Sequence, residues 1–224
     1  MVPALTLYHC PRTCSQVTLC ALEEAGLAYD LRLVDIRAGD QFKPEFLAVS
    51  PLNKIPAAVI DGKPLTENAA ILTYVARAAP RAGILPGAYA DPWLQAQAQS
   101  GLAFCGGTLH PQLRGMMAPQ RLTTGQELEA VRERSAEQAH ASFAYAERRV
   151  ARDGWWLGEW SIVDVYLNWT FEVALRTGFD GSAYPALGAL HARLVEAKPS
   201  FRRMLELDAE CLGRLSADTQ AALS

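Results

Sequence analysis

Cys14 combines a reactive side chain with a position that favours chemistry. It stands in Pro11-Arg12-Thr13-Cys14-Ser15-Gln16, between a short apolar run and a helical stretch. A thiol at a helix start meets unpaired backbone N–H groups and the positive end of the helix dipole, and the Arg12 guanidinium lies close in sequence. Both effects favour a thiolate, which would act as a nucleophile or steady another sulfur. The competing reading is a small buried cysteine that fills the strand-helix junction. Ser15 reads in two ways, as the N-cap of the helix or as a hydroxyl donor to a bound sulfur, and capping is the commoner use. Cys10 precedes Cys14 by four residues, not by the three of a Cys-x-x-Cys redox turn, so the pair does not read as a disulfide oxidoreductase. Cys20 falls inside the helix and reads as core.

Two further segments could bind a ligand. In Asn53-Lys54-Ile55-Pro56-Ala57 a proline precedes an apolar strand, where it cannot sit centrally in a ladder. A cis Ile55-Pro56 bond would turn the chain and offer the Ile55 N–H and C=O to a peptide-like ligand, although trans is the commoner state of such bonds. In Thr66-Glu67-Asn68-Ala69-Ala70-Ile71 a strand gives way to a helix. Glu67 could accept from an ammonium, while the Asn68 side chain and the N–H groups of the helix start could hold a carboxylate. The same letters also read as Thr66 or Asn68 capping the helix, with Glu67 complementing its dipole. Lys54 is a charge contact for a carboxylate or a solvated lysine.

The elements that must position these residues fall in two parts. Residues 1–80 mix strand and helix patterns, 81–90 carry linker punctuation, and 91–224 are helical in pattern. In the first part Leu5–Tyr8, Tyr29–Ile36, Ala57–Ile60 and Lys63–Thr66 read as strands, the last two flanking Asp61-Gly62 as a hairpin. Ser15–Ala25, stopped by Gly26, and Asn68–Ala78 read as helices, with a helical turn at Lys43–Leu47 between them. The order β-α-β-α-β-β-α is thioredoxin-like, and its short first crossover implies parallel pairing. In the second part Asp91-Pro92 opens a helix that Gly106-Gly107 and Pro111 bend or break. Gln126–Val150 is amphipathic, Ser161–Thr177 is the most hydrophobic helix, and helices near Ala186–Ala197 and Ser200–Asp208 precede a polar tail.

Composition bounds the function. The 224 residues are 50% hydrophobic and carry a formal charge of −3, which argues against phosphate-backbone binding as the main task. No apolar run is long enough to span a membrane, and the first residues lack the pattern of a secretory signal. Five cysteines without a disulfide spacing suit reduced thiols in a cytoplasm.

Together the thiol at the first strand-helix junction, the Asn-Lys-Ile-Pro turn and the Leu65-Thr66-Glu67-Asn68-Ala69-Ala70-Ile71-Leu72 helix start resemble the glutathione S-transferases. So does the helical second half. The stretch Tyr8–Gly26 most resembles the bacterial beta class. The resemblance extends to Gly158-Glu159-Trp160-Ser161-Ile162-Val163-Asp164, an N-capping box before the central helix, with Ser161 and Asp164 bonding reciprocally. It implies the glutathione S-transferase fold, with glutathione as co-substrate bound by the first domain, no metal, and a homodimer. Ile55 would pair with the cysteinyl part of glutathione, Pro56 would be cis, and Glu67 and Asn68 would hold the γ-glutamyl end. Asn68 departs from the serine usual in the family.

Cys14, Ser15 and Tyr8 are the candidates for activating the sulfur, Tyr8 because other classes carry a tyrosine at that strand position. Gly106 stands where beta-like enzymes often place a histidine, and His110 lies one turn on. Met116 and Met117 are candidate walls of a hydrophobic-substrate pocket, since methionine adapts to varied shapes. The implied activity is transfer of glutathione to a small hydrophobic electrophile. The alternatives are a thiol reductase or thioether lyase working through a Cys14 mixed disulfide, or a non-catalytic binding or scaffold protein on the same fold.

Overall fold

The structure is a computed structural model describing residues 4–85, 91–215, 217 and 220. Contacts divide the chain into two compact units. One runs to Ile84 and resumes at Ala197; the other is Leu85–Glu196.

The first unit contains β1 (Leu5–His9), α1 (Ser15–Ala25), β2 (Asp30–Leu33), α2 (Pro44–Leu47), β3 (Ala57–Ile60), β4 (Lys63–Thr66) and α3 (Asn68–Ala78). Its sheet has the order β2-β1-β3-β4, with β1 and β2 parallel and the other pairs antiparallel. This is the thioredoxin-like arrangement. Alternation along β1 buries Leu5, Leu7 and His9 and leaves Thr6 and Tyr8 half-buried. Val17, Leu19 and Leu22 of α1 and Ile71, Leu72 and Val75 of α3 are buried where these helices pack on each other and on the sheet. A separate cluster of Val34, Phe46 and Ala57 gathers Tyr8, Ile36, Val49 and Ile55.

Local chemistry sets the element ends. Gly26, at φ 61°, closes α1 by donating to the Glu23 and Leu22 carbonyls. Asp61 (φ 49°) and Gly62 (φ 77°) turn the hairpin in left-handed conformations, and Pro64 sits on the edge strand, where its missing N–H costs no ladder bond. The second strand is shorter than its alternation suggests. The Asp35 side chain accepts from Arg37 N–H and Ala38 N–H, and its own N–H donates to Asp40 Oδ2, which turns the chain away from the sheet.

The second unit is helical. Asp91 caps α4 (Pro92–Ala103) by accepting from Trp93 N–H and Leu94 N–H. Where a bend or break was expected at Gly106-Gly107 and Pro111, the helix passes through a π-helical stretch over Phe104–Leu109 that leads directly into α5 (His110–Met117), with Pro111 in its first turn. A Cβ added at Gly106 would stand 3.2 Å from the Tyr166 hydroxyl, so a side chain here would have to push that hydroxyl back by a few tenths of an ångström. The long α6 (Leu128–Asp153) buries Ser135, Ala139, Phe143, Ala146 and Val150 along one stripe. Then α7 (Ile162–Arg176) is buried over nearly its whole length and is followed by α8 (Pro185–Gly188) and α9 (Leu190–Ala197). The capping box before α7 forms, with Ser161 N–H donating to Asp164 Oδ2 at 2.8 Å.

The last helix, α10 (Pro199–Leu212), belongs by its contacts to the first unit, whereas pattern alone grouped it with 91–224. It packs on α1, with Phe201 and Met204 buried. Amphipathic spacing shows that a helix has a buried face but does not name what covers it. Of the linker read at 81–90, residues 86–90 lie outside the described residues, as does most of the tail from Ser216. Among the described residues no helix is long and apolar enough to cross a membrane.

Candidate active site

The turn between β1 and α1 sets Cys14 at the N-cap of α1, with its side chain 5% exposed. Its Sγ donates to the Ile55 carbonyl at 3.5 Å. The Ile55-Pro56 bond is cis. Ser50 shapes the approach to it, since its Oγ donates to the Lys54 carbonyl (2.8 Å) and accepts from the Lys54 N–H (3.2 Å). Lys54 itself is exposed. A thiol and the backbone of the residue before the cis-proline therefore adjoin.

The donors expected at the start of α1 are largely engaged. Ser15 N–H donates to Thr13 Oγ1, Gln16 N–H to the Thr13 carbonyl, and Val17 N–H to the Cys14 carbonyl. A sulfur placed there meets the Cys14 thiol and the aligned peptide dipoles rather than a row of open N–H groups. Ser15 is the first residue of the helix rather than its cap, and its fully buried hydroxyl is taken up internally. Oγ lies 2.7 Å from His9 Nδ1 and 2.9 Å from Thr13 Oγ1, donates to the Cys10 carbonyl and accepts from Cys10 N–H. This corrects the expectation of a hydroxyl available to a bound sulfur. The half-buried Tyr8 ring meets Phe46 edge-on at 5.6 Å within the cluster around Val34 and Ala57.

At the other helix start, Glu67 is exposed and holds φ 69°, ψ 118°, a left-handed conformation that costs a non-glycine residue about 1–3 kcal/mol. No side chain caps α3. The N–H groups of Asn68 and Ala69 therefore lie at a helix start where the helix itself supplies no acceptor. The Asn68 side chain is turned inward and is 7% exposed. Its Nδ2 donates to the Cys14 carbonyl at 2.9 Å, and its Oδ1 accepts from Thr18 Oγ1 at 2.7 Å. Both ends of the amide are thus used, and a carboxylate contact by this side chain is not what the structure shows. Asn68 instead ties the start of α3 to the start of α1. Asn68→Ala removes both of these buried hydrogen bonds, though the Cys14 carbonyl keeps its bond from Val17 N–H, and should lower stability by about 1–3 kcal/mol in urea denaturation.

Residues 3–77 match the family model for the glutathione S-transferase N-terminal domain. Glutathione S-transferase GST-4.5 of Xanthomonas campestris is 30% identical over 196 residues, which cover 85% of this chain and 93% of that protein. The chain belongs to the glutathione S-transferase family. A glutathione transferase homologue from Sulfitobacter, solved with bound glutathione, superposes with a TM-score of 0.81 at 32% identity, covering 92% of this chain and 98% of that one. The disulfide-bond oxidoreductase YfcG of Escherichia coli is 46% identical over 79 residues, 32% of this chain and 37% of that protein.

Within this family member the second-unit candidates are not equivalent. His110 opens α5 and meets Trp169 edge-on at 4.9 Å. Met116 is 7% exposed and sits in the core, whereas Met117 is 47% exposed, so the two do not form a common wall. Among the described residues no group of three His, Cys, Asp or Glu side chains is placed to hold a metal ion.

Burial disfavours the thiolate at the other four cysteines. Burial pushes the Cys10 and Cys20 thiols up to about 12, puts Cys105 well above its ordinary value and raises Cys211 as well. Iodoacetamide at neutral pH should therefore modify Cys14 first in the folded protein and all five cysteines once it is denatured, as read by peptide mass.

Proposed function

We propose that this protein binds glutathione on its first unit, steadies the glutathione thiolate beside Cys14 and transfers it to a small hydrophobic electrophile. The observation that carries the reading is the Cys14 thiol on the Ile55 carbonyl at 3.5 Å. A peptide backbone paired on Ile55 would bring its own sulfur to the start of α1. The γ-glutamyl ammonium would meet Glu67, and its carboxylate the N–H groups at the start of α3. Inward-turned Asn68 leaves that second task to the backbone. Rate acceleration would come from a larger thiolate fraction and from proximity, with Cys14 as the group that touches the sulfur. The proposal includes a cytoplasmic homodimer, as the family resemblance implies.

A second reading, thiol exchange, is favoured by the type of residue at position 14, since a cysteine can form a bond that a hydroxyl cannot. The Cys14 thiolate would attack oxidised glutathione, forming a mixed disulfide and releasing one glutathione thiolate. Calorimetry with reduced glutathione, then turnover with a panel of electrophiles, tests the main reading. Binding and conjugation support it, while binding with no turnover favours a carrier. Absence of binding at millimolar glutathione rules out both glutathione readings.

A further inference from the structure

The turn that carries Cys14 is fastened from an unexpected direction. Arg12 lies in the left-handed region at φ 64°, a conformation that persists in a bulky residue only where its surroundings hold it. Its N–H points at Asp208 of α10, donating to the two carboxylate oxygens at 3.2 and 3.3 Å. Asp208 is 2% exposed, and its Oδ1 also lies 3.2 Å from Nε2 of the fully buried His9. On its other side His9 meets Ser15 Oγ, which engages both backbone groups of Cys10. At the far end of α1, Glu24 pairs with Lys198 Nζ at 2.8 Å and accepts from the Ser200 hydroxyl. The two helices therefore run antiparallel, joined by polar contacts at both ends.

We propose that α10 is a clamp on the reactive turn, with Asp208 as a positioning residue that holds residues 10–14 so that the Cys14 thiol stays against Ile55. Asp208 touches no substrate in this account; it acts through Arg12 and His9. The inference rests on Cys14 being the working thiol. Alkylation reads the position of that thiol without glutathione, so failure of the clamp and failure of glutathione binding are separate results.

The test is the rate of iodoacetamide modification at each cysteine, by peptide mass, in the full-length native protein, Asp208→Ala, Asp208→Asn and Glu24→Gln. Losing a hydrogen bond to a charged group should open the turn and speed modification of Cys14 about tenfold or more in Asp208→Ala, with Cys20 and Cys105 still protected. Asp208→Asn keeps an acceptor for the Arg12 N–H and should stay within about threefold of native. Glu24→Gln should loosen the far end of α10 and leave Cys14 at the native rate. An unchanged Cys14 rate in Asp208→Ala, simultaneous modification of all cysteines, or an equal effect in Glu24→Gln would overturn the proposal. Should Asp208→Ala not fold, hydrogen exchange on the native protein decides. The Arg12 amide should be protected as strongly as the amides of α10, and exchange at the rate of an open loop would overturn the clamp.

Discussion

Cys14→Ala is expected to lower conjugating turnover by about 10- to 100-fold, the worth of one hydrogen bond to a charged sulfur. The loss should fall on kcat, since Ile55, Glu67 and the start of α3 would still hold the tripeptide and leave the KM for glutathione nearly unchanged. The same variant should form no adduct with oxidised glutathione, whereas the native protein gains one glutathionyl group by intact mass. The neighbouring groups give no reason to expect compensation: the Ser15 hydroxyl is fully buried and bonded, and the Tyr8 ring is packed against Phe46. Unchanged turnover in Cys14→Ala would move the chemistry away from this thiol.

Asp164→Ala should cost about 3 kcal/mol or more, from a lost cap together with buried donors left unpaired. Asp164 accepts from Ser161 N–H and the Ser161 hydroxyl, and its second oxygen takes the Trp156 N–H at 2.7 Å. It therefore fastens the Trp155-Trp156 loop as well as the start of α7, and urea denaturation followed by tryptophan fluorescence would report the loss. Burial lifts the Asp164 carboxyl from 3.8 to about 6, against the pull of its hydrogen bonds from Trp156 and Ser161. The folded state thus holds this proton more tightly than the unfolded chain does. That contribution to stability is complete below about pH 4 and is lost as pH rises through about 6. The stability advantage of the native protein over Asp164→Asn should accordingly shrink between about pH 4 and about pH 7.

How much of this was legible in the sequence depended on how local the cause is. The hairpin at Asp61-Gly62, the helix closed by Gly26 and the box at Ser161 and Asp164 are written in adjacent residues, and all three form as read. Cys14 at a helix start was legible for the same reason. The destination of Asn68 was not, because its amide is satisfied by Cys14 and Thr18, some fifty positions away. Nor was the unit to which α10 belongs, since its fastenings to Glu24, Arg12 and His9 cross most of the chain. The partner of the Ser15 hydroxyl is not legible either, because His9, on the buried face of β1, gives no local sign of that contact. The irregularity at Gly106-Gly107 was legible as a bend or break, but its π-helical form over Phe104–Leu109 was not, since the close approach of Tyr166 to Gly106 comes from another helix.

In the proposed function a γ-linked tripeptide lies along Ile55 with its sulfur beside Cys14. A crystal structure of the native protein soaked in glutathione tests it most directly. The expected result is the glutathione sulfur within about 4 Å of Cys14 Sγ, its cysteinyl backbone paired with Ile55 and its ammonium on Glu67. A tripeptide bound elsewhere, or no density at Ile55 under saturating glutathione, would contradict it.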